Sequence, residues 1–376
     1  MKKTIASLLV MFLFTASLFG CSGSSTSSGN SPRETSPSEA ASVDSAAAKE
    51  GATTADSGEK VDISGMELNV LIAYHEDVAR RQAETFEQMT GCKVNFLRLP
   101  TGEAITKLIA EKDNPTVTLL AGGTVDGHQN LKTQGILTNG YTSANEEYIP
   151  EQYRDPEGYF KTLYIETVSI GVNTERWEDE FADSGVPMPT TLEELLNPIF
   201  EGEIIMPDPT TSGTGYTIIS SILASMDEEA GWEFLEALNK QIGQYTSSGY
   251  TPGEKTGLGE YLICINFFAD QLIVSNAGYP VQSNVFEGAG WCTVPVSIVK
   301  GAEDDPALQQ YIDFLLSKEG MDILVELAPV VAVREDVILP KNGKRLDELP
   351  LNLEYDAVEA GKVKTETVEK FSAMVG

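Results

Sequence analysis

The sequence predicts an α/β protein in which mainly parallel strands alternate with helices and the folded chain divides into two lobes. From residue 66 to residue 328, apolar segments of strand length alternate with amphipathic segments of helical period. The part of the chain with the composition of a folded protein, roughly 64–376, is longer than one hydrophobic core usually supports. Together these observations indicate parallel sheets flanked by helices.

The first twenty residues have the pattern of a secretory signal peptide, which gives the predicted segment 1–20. Lys2 and Lys3 precede the apolar run IASLLVMFLF, and Gly20 stands directly before Cys21. A cysteine after such a small residue resembles a bacterial lipobox, which implies that Cys21 is lipidated as the first residue of the mature protein. An uncleaved anchor or an ordinary signal peptide is the alternative.

Residues 21–63 begin with Cys21 and continue as a stretch rich in Ser, Ala, Thr, Gly and Glu. Such a composition cannot bury enough apolar surface to fold, so we expect a disordered tether. Its typical end-to-end distance is about 35 Å. We therefore expect an extracytoplasmic protein, lipid-anchored to the cell membrane. The long tether favours a Gram-positive type of envelope.

Composition limits the kinds of partner. The net charge of −31 disfavours nucleic acid, because phosphates would be repelled. The two histidines, His75 and His128, are too few for a His-rich metal site. Cys92, Cys264 and Cys292 are far apart in sequence and lack metal-type spacing, so we interpret them as small core residues, with one disulfide possible.

The elements follow one another in a regular order. Predicted strands occupy 66–75, 92–99, 116–123, 164–175, 201–209 and 290–301. Predicted helices occupy 76–91, 102–113, 190–200, 227–241 and 305–328, and the segment 259–278 passes from a strand into a helix. The helix at 190–200 begins with threonines followed by glutamates, a capping pattern, and 305–328 is one long helix or a helix pair.

The stretch MPDPTTSGTGYTIISSIL, 206–223, passes from a strand into a helix through a run of hydroxyl groups and glycines. The N-terminus of a helix has free N–H groups and partial positive charge, so this run predicts an anion site. The alternative is that a Ser or Thr only caps the helix. Two similar turns, 121–128 and 244–254, suggest that all three converge on one cleft.

Five segments, in this order, carry a resemblance to a known family: LLAGGTVDGHQNLKTQGIL, SIGVNTERW, LLNPIFEGEIIMPDPTTSGTGYT, INFFADQLIVSNAGYPV and FEGAGWCTVPVSIVKGAED. They resemble the extracytoplasmic solute-binding proteins of ABC transporters with the type 2 periplasmic-binding-protein fold. Within these, the chain is most similar to the branch that holds the ferric-ion, hexose-phosphate and 2-aminoethylphosphonate binders. The resemblance covers essentially all of 67–340.

The resemblance implies two α/β lobes joined by hinge strands that cross near Ser169 and Pro295. Lobe 1 would comprise 64–168 and 296–376, and lobe 2 would comprise 169–295. It also implies a monomer that captures a small solute, works with an ABC permease and an ATPase, and carries no cofactor. We expect no enzymatic activity, because a lipid anchor and hinged lobes suit capture and delivery.

The resemblance also implies a set of ligand-binding residues. It places Thr211, Ser212, Gly213 and Thr214 at an anionic group of the ligand, with Thr124 and Ser248 as further candidates. It places Asp270 and Glu287 at hydroxyl groups or an amine, for which carboxylates are suitable acceptors. We therefore expect a phosphorylated or phosphonate-type organic solute.

One acidic residue departs from the family pattern. Glu166 stands where the family has a small residue, on a strand that either faces the cleft or points to solvent. With Glu166, Asp270 and Glu287 in one site, a ligand that bears a cation or many hydroxyl groups is favoured. Examples are an aminophosphonate, a sugar phosphate and a polyol.

A ferric-ion binder is the alternative function. The branch that binds iron uses paired tyrosines, where this chain has Phe267 and Phe268, and a carboxylate in the segment that here reads Gly122-Gly123-Thr124. His75 is the one residue that matches a metal ligand of the family. An iron site would otherwise have to be rebuilt from tyrosines outside the family positions, for which the candidates are Tyr74, Tyr216, Tyr245 and Tyr250. A surface sensor or adhesin on the same fold is an alternative of another class.

Several other side chains have two interpretations each. Tyr216, Tyr250 and Trp291 line the cleft or pack in the core. The pair Arg80 and Arg81 reaches an anion from the first helix or lies on a solvated face. His128 caps or packs near its loop.

Overall fold

The structure is a computed structural model that describes residues 61–376. The signal peptide, Cys21 and the tether up to residue 60 lie outside the described residues. The strands of the described part are β1 (Glu67–Ala73), β2 (Lys93–Arg98), β3 (Leu119–Gly122), β4 (Leu137–Thr138), β5 (Phe160–Asn173), β6 (Ile204–Pro207), β7 (Ile242–Thr246), β8 (Ile263–Phe267), β9 (Val281–Asn284), β10 (Trp291–Val299) and β11 (Val331–Ala332).

The helices connect these strands and cover the sheet. They are α1 (Glu76–Thr90), α2 (Thr101–Ala110), α3 (Val125–Thr133), α4 (Thr174–Arg176), α5 (Gly213–Ser225), α6 (Glu228–Asn239), α7 (Thr251–Gly257), α8 (Phe268–Asn276), α9 (Pro306–Leu316), α10 (Lys318–Leu327), α11 (Ala357–Lys362) and α12 (Lys364–Val375). Strand and helix alternate from β1 to α3, as the sequence predicts, and from β6 to α8 each strand is followed by one or two helices.

The sheet contains two groups of parallel strands with an antiparallel centre. Its order is β2-β1-β3-β10-β5-β8-β6-β7. We call β1, β2 and β3 the first strand group and β6, β7 and β8 the second; pairing within each group is parallel. Between them, β10 is antiparallel to β3 and β5, and β5 is antiparallel to β8.

The long strand β5 connects the two groups. Its residues 160–167 pair with β10, and from Val168 onward it pairs with β8 and β9. This change of partners lies beside Ser169, where the sequence predicts a hinge crossing. In β10 the register with β5 shifts between Val294 and Pro295. All fourteen residues of β5 are buried, so the connection between the groups is part of the core.

Both faces of β1 are covered, as expected for a strand inside a parallel sheet. Leu68, Val70 and Ile72 belong to the main hydrophobic core, which includes side chains of α1, α9 and α10. Leu71 belongs to a second cluster with side chains of α2 and α3, such as Leu108. The apolar run at 66–75 therefore indicates a buried strand.

The helix predicted at 190–200 is wrong. The segment instead forms two short 3₁₀ turns, Glu193–Leu196 and Pro198–Phe200. The predicted cap is present, because the Glu194 carboxylate accepts hydrogen bonds from the backbone N–H groups of Thr190 and Thr191. A proline in the helix interior lacks an N–H group and clashes with the preceding turn, so Pro198 prevents this capped turn from extending into an α-helix.

The segment 305–328, which the sequence leaves open, is a helix pair. Ser317 has an extended backbone, ends α9 and caps α10 through its side chain. The three described cysteines, Cys92, Cys264 and Cys292, are buried with free thiols, so none of them forms a disulfide with another.

We call the first strand group with its helices the first half of the molecule, and the second strand group with its helices the second half. The C-terminal segment packs against both halves. After an isolated bridge between Leu351 and Ala289, α11 packs against α3 and α5, and α12 packs against α5 and α6. The sequence analysis assigns residues 296–376 to the first lobe. In the structure, however, α12 contacts α5 and α6, which belong to the second half.

Candidate functional site

A small cavity lies between the two strand groups, where the carboxyl ends of parallel strands lead into helices. Its volume is about 70 Å³, which is space for only a few water molecules. The first strand group contributes the ends of β1, β2 and β3, and the second contributes the starts of α5, α7 and α8. This is where ligands of open α/β sheets bind.

Three polar turns meet at this cavity. Thr124 stands at the N-cap position of α3 in the first half without a side-chain capping bond, and Ser212 caps α5 in the second half, where its Oγ accepts a hydrogen bond from the Gly215 N–H at 3.4 Å. Gly249 belongs to the third turn, and a Cβ on it would lie 2.3 Å from the Thr214 Oγ1. The sequence correctly suggests that these turns converge.

The start of α3 and the start of α5 touch directly. A Cβ atom on Gly213 would lie 2.1 Å from the Thr124 Oγ1, so only a glycine fits at this point. The Thr124 hydroxyl is buried in the cavity wall and has no hydrogen-bond partner. Two helix N-termini thus bring their partial positive charge, and an unpartnered hydroxyl, to one place.

Other contacts across the cavity bring the two halves together. The Gly102 N–H donates to the Thr211 carbonyl oxygen at 2.9 Å. The His75 ring stands edge-on to the Tyr250 ring, with centroids 4.5 Å apart. The His75 Nε2 lies 4.0 Å from the Asp270 Oδ1. Residues of the first half therefore contact residues of the second half directly at the cavity.

Two acidic side chains face the cavity. Glu166 lies on β5 and is 7% exposed, and Asp270 lies in the first turn of α8. Burial raises the pKa of Glu166 well above its usual range, and the charge of Asp270 raises it further. Burial also raises the pKa of Asp270 to about 7, which the charge of Arg98 opposes. Near neutral pH this pair therefore retains at least one proton.

Basic groups in the cavity are few. Arg98, at the end of β2, lines the cavity, and its Nε donates to the Tyr74 carbonyl oxygen at 3.4 Å. Burial, followed by the charge of Arg98, lowers the pKa of His75, so this ring is neutral at pH 7. The His75 Nε2 has no hydrogen-bond partner.

Aromatic side chains complete the wall. Tyr164 and Phe267 are buried and Tyr250 is partly exposed. Burial raises the pKa of Tyr250 to about 12, so its hydroxyl is a neutral hydrogen-bond donor. Tyr74 also lines the cavity, but its hydroxyl donates to the Gln82 side chain at 2.7 Å.

Eight of the candidate residues singled out from the sequence lie in the cavity wall: Tyr74, His75, Thr124, Glu166, Ser212, Thr214, Tyr250 and Asp270. Thr211 and Gly213 lie beside it at the contact between the halves. Ser248 adjoins the lining residue Gly249. Glu287 is exposed in the loop between β9 and β10, and it does not line the cavity.

Other candidates lie elsewhere. Tyr216 is a buried residue of α5, and its hydroxyl donates to the Ala360 carbonyl oxygen. Trp291 donates through its ring N–H to the Asn352 carbonyl oxygen. His128 is fully buried and contacts Ser297 and the Gly122 carbonyl oxygen, so it packs as expected. Arg80 is exposed and pairs with Glu76.

Arg98, Tyr164 and Phe267 line the cavity, although the sequence does not mark them as ligand residues. A signal existed for Arg98, because it ends a predicted parallel strand, where binding residues collect. Within residues 61–376, no three or more His, Cys, Asp or Glu side chains are arranged to hold a metal ion. No helix in the same range is long and apolar enough to cross a membrane.

Comparison with known proteins shows what the chain is similar to. The sequence profile of the bacterial extracellular solute-binding proteins matches residues 120–346. The structure of the periplasmic binding protein AfuA from Actinobacillus pleuropneumoniae, with fructose-6-phosphate bound, superposes with a TM-score of 0.79. The two chains are 29% identical, and the alignment covers 83% of this chain and 99% of AfuA.

Two further proteins are similar at lower identity. A probable ABC transporter periplasmic-binding protein of Sinorhizobium fredii, y4fP, is 22% identical over 77% of this chain and 82% of its own length. Iron-bound HitA from Pseudomonas aeruginosa shares the fold, with a TM-score of 0.71 at 15% identity over 82% of this chain and 99% of HitA.

These similarities confirm the predicted type 2 periplasmic-binding-protein fold, in which two α/β lobes are joined by hinge strands. In this chain the two parallel strand groups and the long strand β5 correspond to that description. The matching profile covers more than half of the chain. The protein therefore belongs to the family of bacterial extracellular solute-binding proteins.

Proposed function

We propose that this protein is the solute-binding component of an ABC importer and that it captures a small phosphorylated or phosphonate-type organic solute in the cavity between its halves. The observation that carries the proposal is the meeting of the N-termini of α3 and α5 in one cavity, with Thr124, Ser212 and Thr214 in its wall. The fructose-6-phosphate bound to AfuA, a relative of 29% identity, supports the same ligand class.

The anion site has enough donors for useful affinity. Backbone N–H groups at a helix N-terminus and adjacent hydroxyl groups suit phosphate oxygens. Each hydrogen bond to a charged group contributes about 1.5–3 kcal/mol, and micromolar binding requires about 8 kcal/mol. Arg98 supplies a positive charge in the same cavity. Glu287 is not part of the proposed site, because it is exposed and away from the cavity.

Binding is coupled to closure. The solute contacts α3 from one half and α5 from the other, so only the closed arrangement makes both sets of contacts and its population rises when solute binds. The permease, powered by its ATPase, then recognises the closed form. In this proposal the protein is a monomer, has no enzymatic activity, and is held to the membrane through lipidated Cys21.

Ferric-ion binding is the second candidate. It is supported by the shared fold with HitA and by the presence of His75, Tyr164 and Tyr250 in one cavity. The phosphorylated solute is favoured, because Phe267 lines the wall where the iron-binding branch has a tyrosine. A sensor on the same fold would bind the solute without a permease.

A thermal-shift screen of the purified protein tests the proposal. Hexose phosphates, 2-aminoethylphosphonate, phosphate, polyols and ferric citrate form the panel. A ligand at about a hundredfold its dissociation constant adds about 2.7 kcal/mol of stability. We expect a shift with a phosphorylated or phosphonate compound. A shift with ferric citrate alone would contradict the proposal.

A variant localises the effect to the anion site. Thr124→Val keeps the shape of the side chain and removes the unpartnered hydroxyl, so we expect the affinity for the compound that binds to fall about tenfold or more. Thr133→Val, on the exposed end of the same helix, is the matched control and should bind like the wild type.

A further inference from the structure

The carboxyl group of Glu166 is buried at the cavity and that of Asp270, whose side chain is 14% exposed, lies beside it. Among residues 61–376, neither forms an ion pair with a lysine or arginine, and neither accepts a hydrogen bond. The nearest basic atom within that range is the Nε2 of His75, 4.0 Å from Asp270, and that ring is neutral. An isolated carboxylate in such a site is costly, so the pair holds a proton, and a cationic group of a ligand would let both acids ionise.

The surroundings of the pair offer little compensation. Among the described residues, Arg98 is the one cation in the cavity wall, and it is not close enough to pair with either acid. The other titratable groups near the pair are His75, Tyr74, Tyr164, Tyr250, Cys264 and Cys292. All six are neutral at pH 7, since burial raises the pKa values of the tyrosines and cysteines and lowers that of His75.

The same cavity contains an independent sign that a ligand completes it. Thr124 is 2% exposed, and its hydroxyl faces the cavity without a partner. Thr124 lies at the helix N-termini, which suit an anion, whereas Glu166 and Asp270 repel one. The wall therefore has both an anion-binding part and an acidic part.

We propose that Glu166 and Asp270 form a subsite for an amino group of the solute, carried as an ammonium ion, so that the preferred solute is a zwitterion with an amine and a phosphoryl or phosphonyl group. This inference rests on the proposed function for its anionic half. An ammonium ion donates up to three hydrogen bonds, which two carboxylates accept, and it supplies the positive charge that the wall lacks.

A neutral hydroxyl group of a solute and an ammonium ion favour different protonation states of the two acids. The half-protonated pair binds a hydroxyl without losing its proton, whereas an ammonium ion favours the fully ionised pair. Binding of an amine at neutral pH therefore releases a proton, and the affinity rises with pH through the titration range of the pair. This sign distinguishes the two kinds of solute.

Matched solutes test the inference on the full chain by isothermal titration calorimetry. The pairs are glucosamine 6-phosphate with glucose 6-phosphate, and 2-aminoethylphosphonate with ethylphosphonate, at about pH 6 and about pH 8 in buffers of different ionisation enthalpy. At the higher pH we expect the amino member of at least one pair to bind about tenfold or more tightly than its partner, with proton release.

Variants assign the preference to the two acids. Glu166→Gln, and separately Asp270→Asn, should remove the preference for the amino member and its pH dependence, so that the two members of a pair bind each variant with similar affinity. Glu254→Gln, an exposed acid on α7, is the control and should retain the preference. Melting curves of the two variants verify folding.

The outcomes separate this inference from the proposed function. Equal affinity within each pair, without proton release, overturns the amine subsite and leaves the phosphorylated solute in place. Binding of glucosamine alone, as tight as that of its phosphate, supports the amine subsite and overturns the phosphorylated solute. If none of these compounds binds, both proposals are overturned.

Discussion

The carboxyl groups of Glu166 and Asp270, which form the proposed amine subsite, also affect the stability of the fold. Their pKa values are raised in the folded protein, so the folded state holds more protons than the unfolded state between the unfolded pKa values, about 4, and the folded ones. The stability that their protonation contributes is complete below pH 4. It is lost as pH rises through the folded pKa values, which for Asp270 is about 7.

We therefore predict that Glu166→Gln stabilises the solute-free protein at high pH. Relative to the wild type, its free energy of unfolding should increase between about pH 5 and pH 8, by on the order of 2 kcal/mol. Urea unfolding of the variant and the wild type at a series of pH values measures this difference in free energy. Other titrating groups, such as the buried His128, contribute equally to both proteins and do not affect the difference. Glu254→Gln should show no such trend, and a pH-independent difference for Glu166→Gln would contradict the raised pKa.

Single residues show what the sequence could and could not predict about the site. Thr124, Ser212 and Asp270 were identified because they lie in segments that resemble the family, and the structure brings them to one cavity. Glu287 lies in such a segment too, but its loop packs beside Pro350 and leaves it exposed. Arg98 has no such segment, and only the packing of β2 beside β1 brings it to the wall.

The C-terminal helices connect elements that lie far apart in sequence. Lys364, at the start of α12, pairs with Asp126 of α3, with 2.6 Å between Nζ and Oδ2. The Lys364 Nζ also lies 4.7 Å from the centre of the Tyr216 ring on α5. Because α3 and α5 both begin at the cavity, this contact supports the helices that form the proposed anion site.

We predict that Lys364→Met destabilises the protein by about 3 kcal/mol, because it leaves the carboxylate of Asp126, which is 2% exposed, without its partner. Urea unfolding measures the change. Lys370→Met, on the exposed side of the same helix, removes an exposed pair with Glu228 and should cost less than about 1 kcal/mol. Adding Asp126→Asn to Lys364→Met should recover part of the loss; without recovery, lost packing rather than the unpaired charge would be the cause.

Elements with strong local patterns were predicted well, and those fixed by distant contacts were not. Strand β1 ends in the apolar run 70–73, strand β3 is buried throughout, and Gly91 ends α1 in the left-handed conformation that glycine favours. By contrast, α11 has no buried residue and α12 buries only Phe371, so neither has a clear amphipathic pattern. The helical conformation of α11 and α12 therefore depends on packing against α3, α5 and α6.

The arrangement of the entire chain follows from strand β5 and from the polar turns. The sequence predicts two lobes with parallel strands, and the fold comparison confirms them. The antiparallel centre, β10 beside β5, could not be predicted, because strand pairing between residues more than a hundred positions apart leaves no local pattern. The lobe boundaries at 168 and 296 stay a prediction.

In the proposed mechanism, closure of the two halves requires a residue without a side chain at Gly213. We predict that Gly213→Ala hinders closure, because the added Cβ would stand 2.1 Å from the Thr124 Oγ1 and 2.9 Å from the Thr101 Oγ1. In the open form these threonines move away from α5, so the solute-free variant should unfold at nearly the temperature of the wild type. Its affinity for the solute should fall about tenfold or more, since closure supplies half of the contacts.

Small-angle X-ray scattering with and without the phosphorylated compound that binds gives the decisive measurement. The wild type should become more compact when the compound is added, and Gly213→Ala should not. Ser225→Ala, at the exposed end of the same helix, is the control for general effects on α5 and should close like the wild type. If Gly213→Ala binds and compacts normally, the contact between α3 and α5 is not required for the closed state, and the anion site must be formed by one half alone.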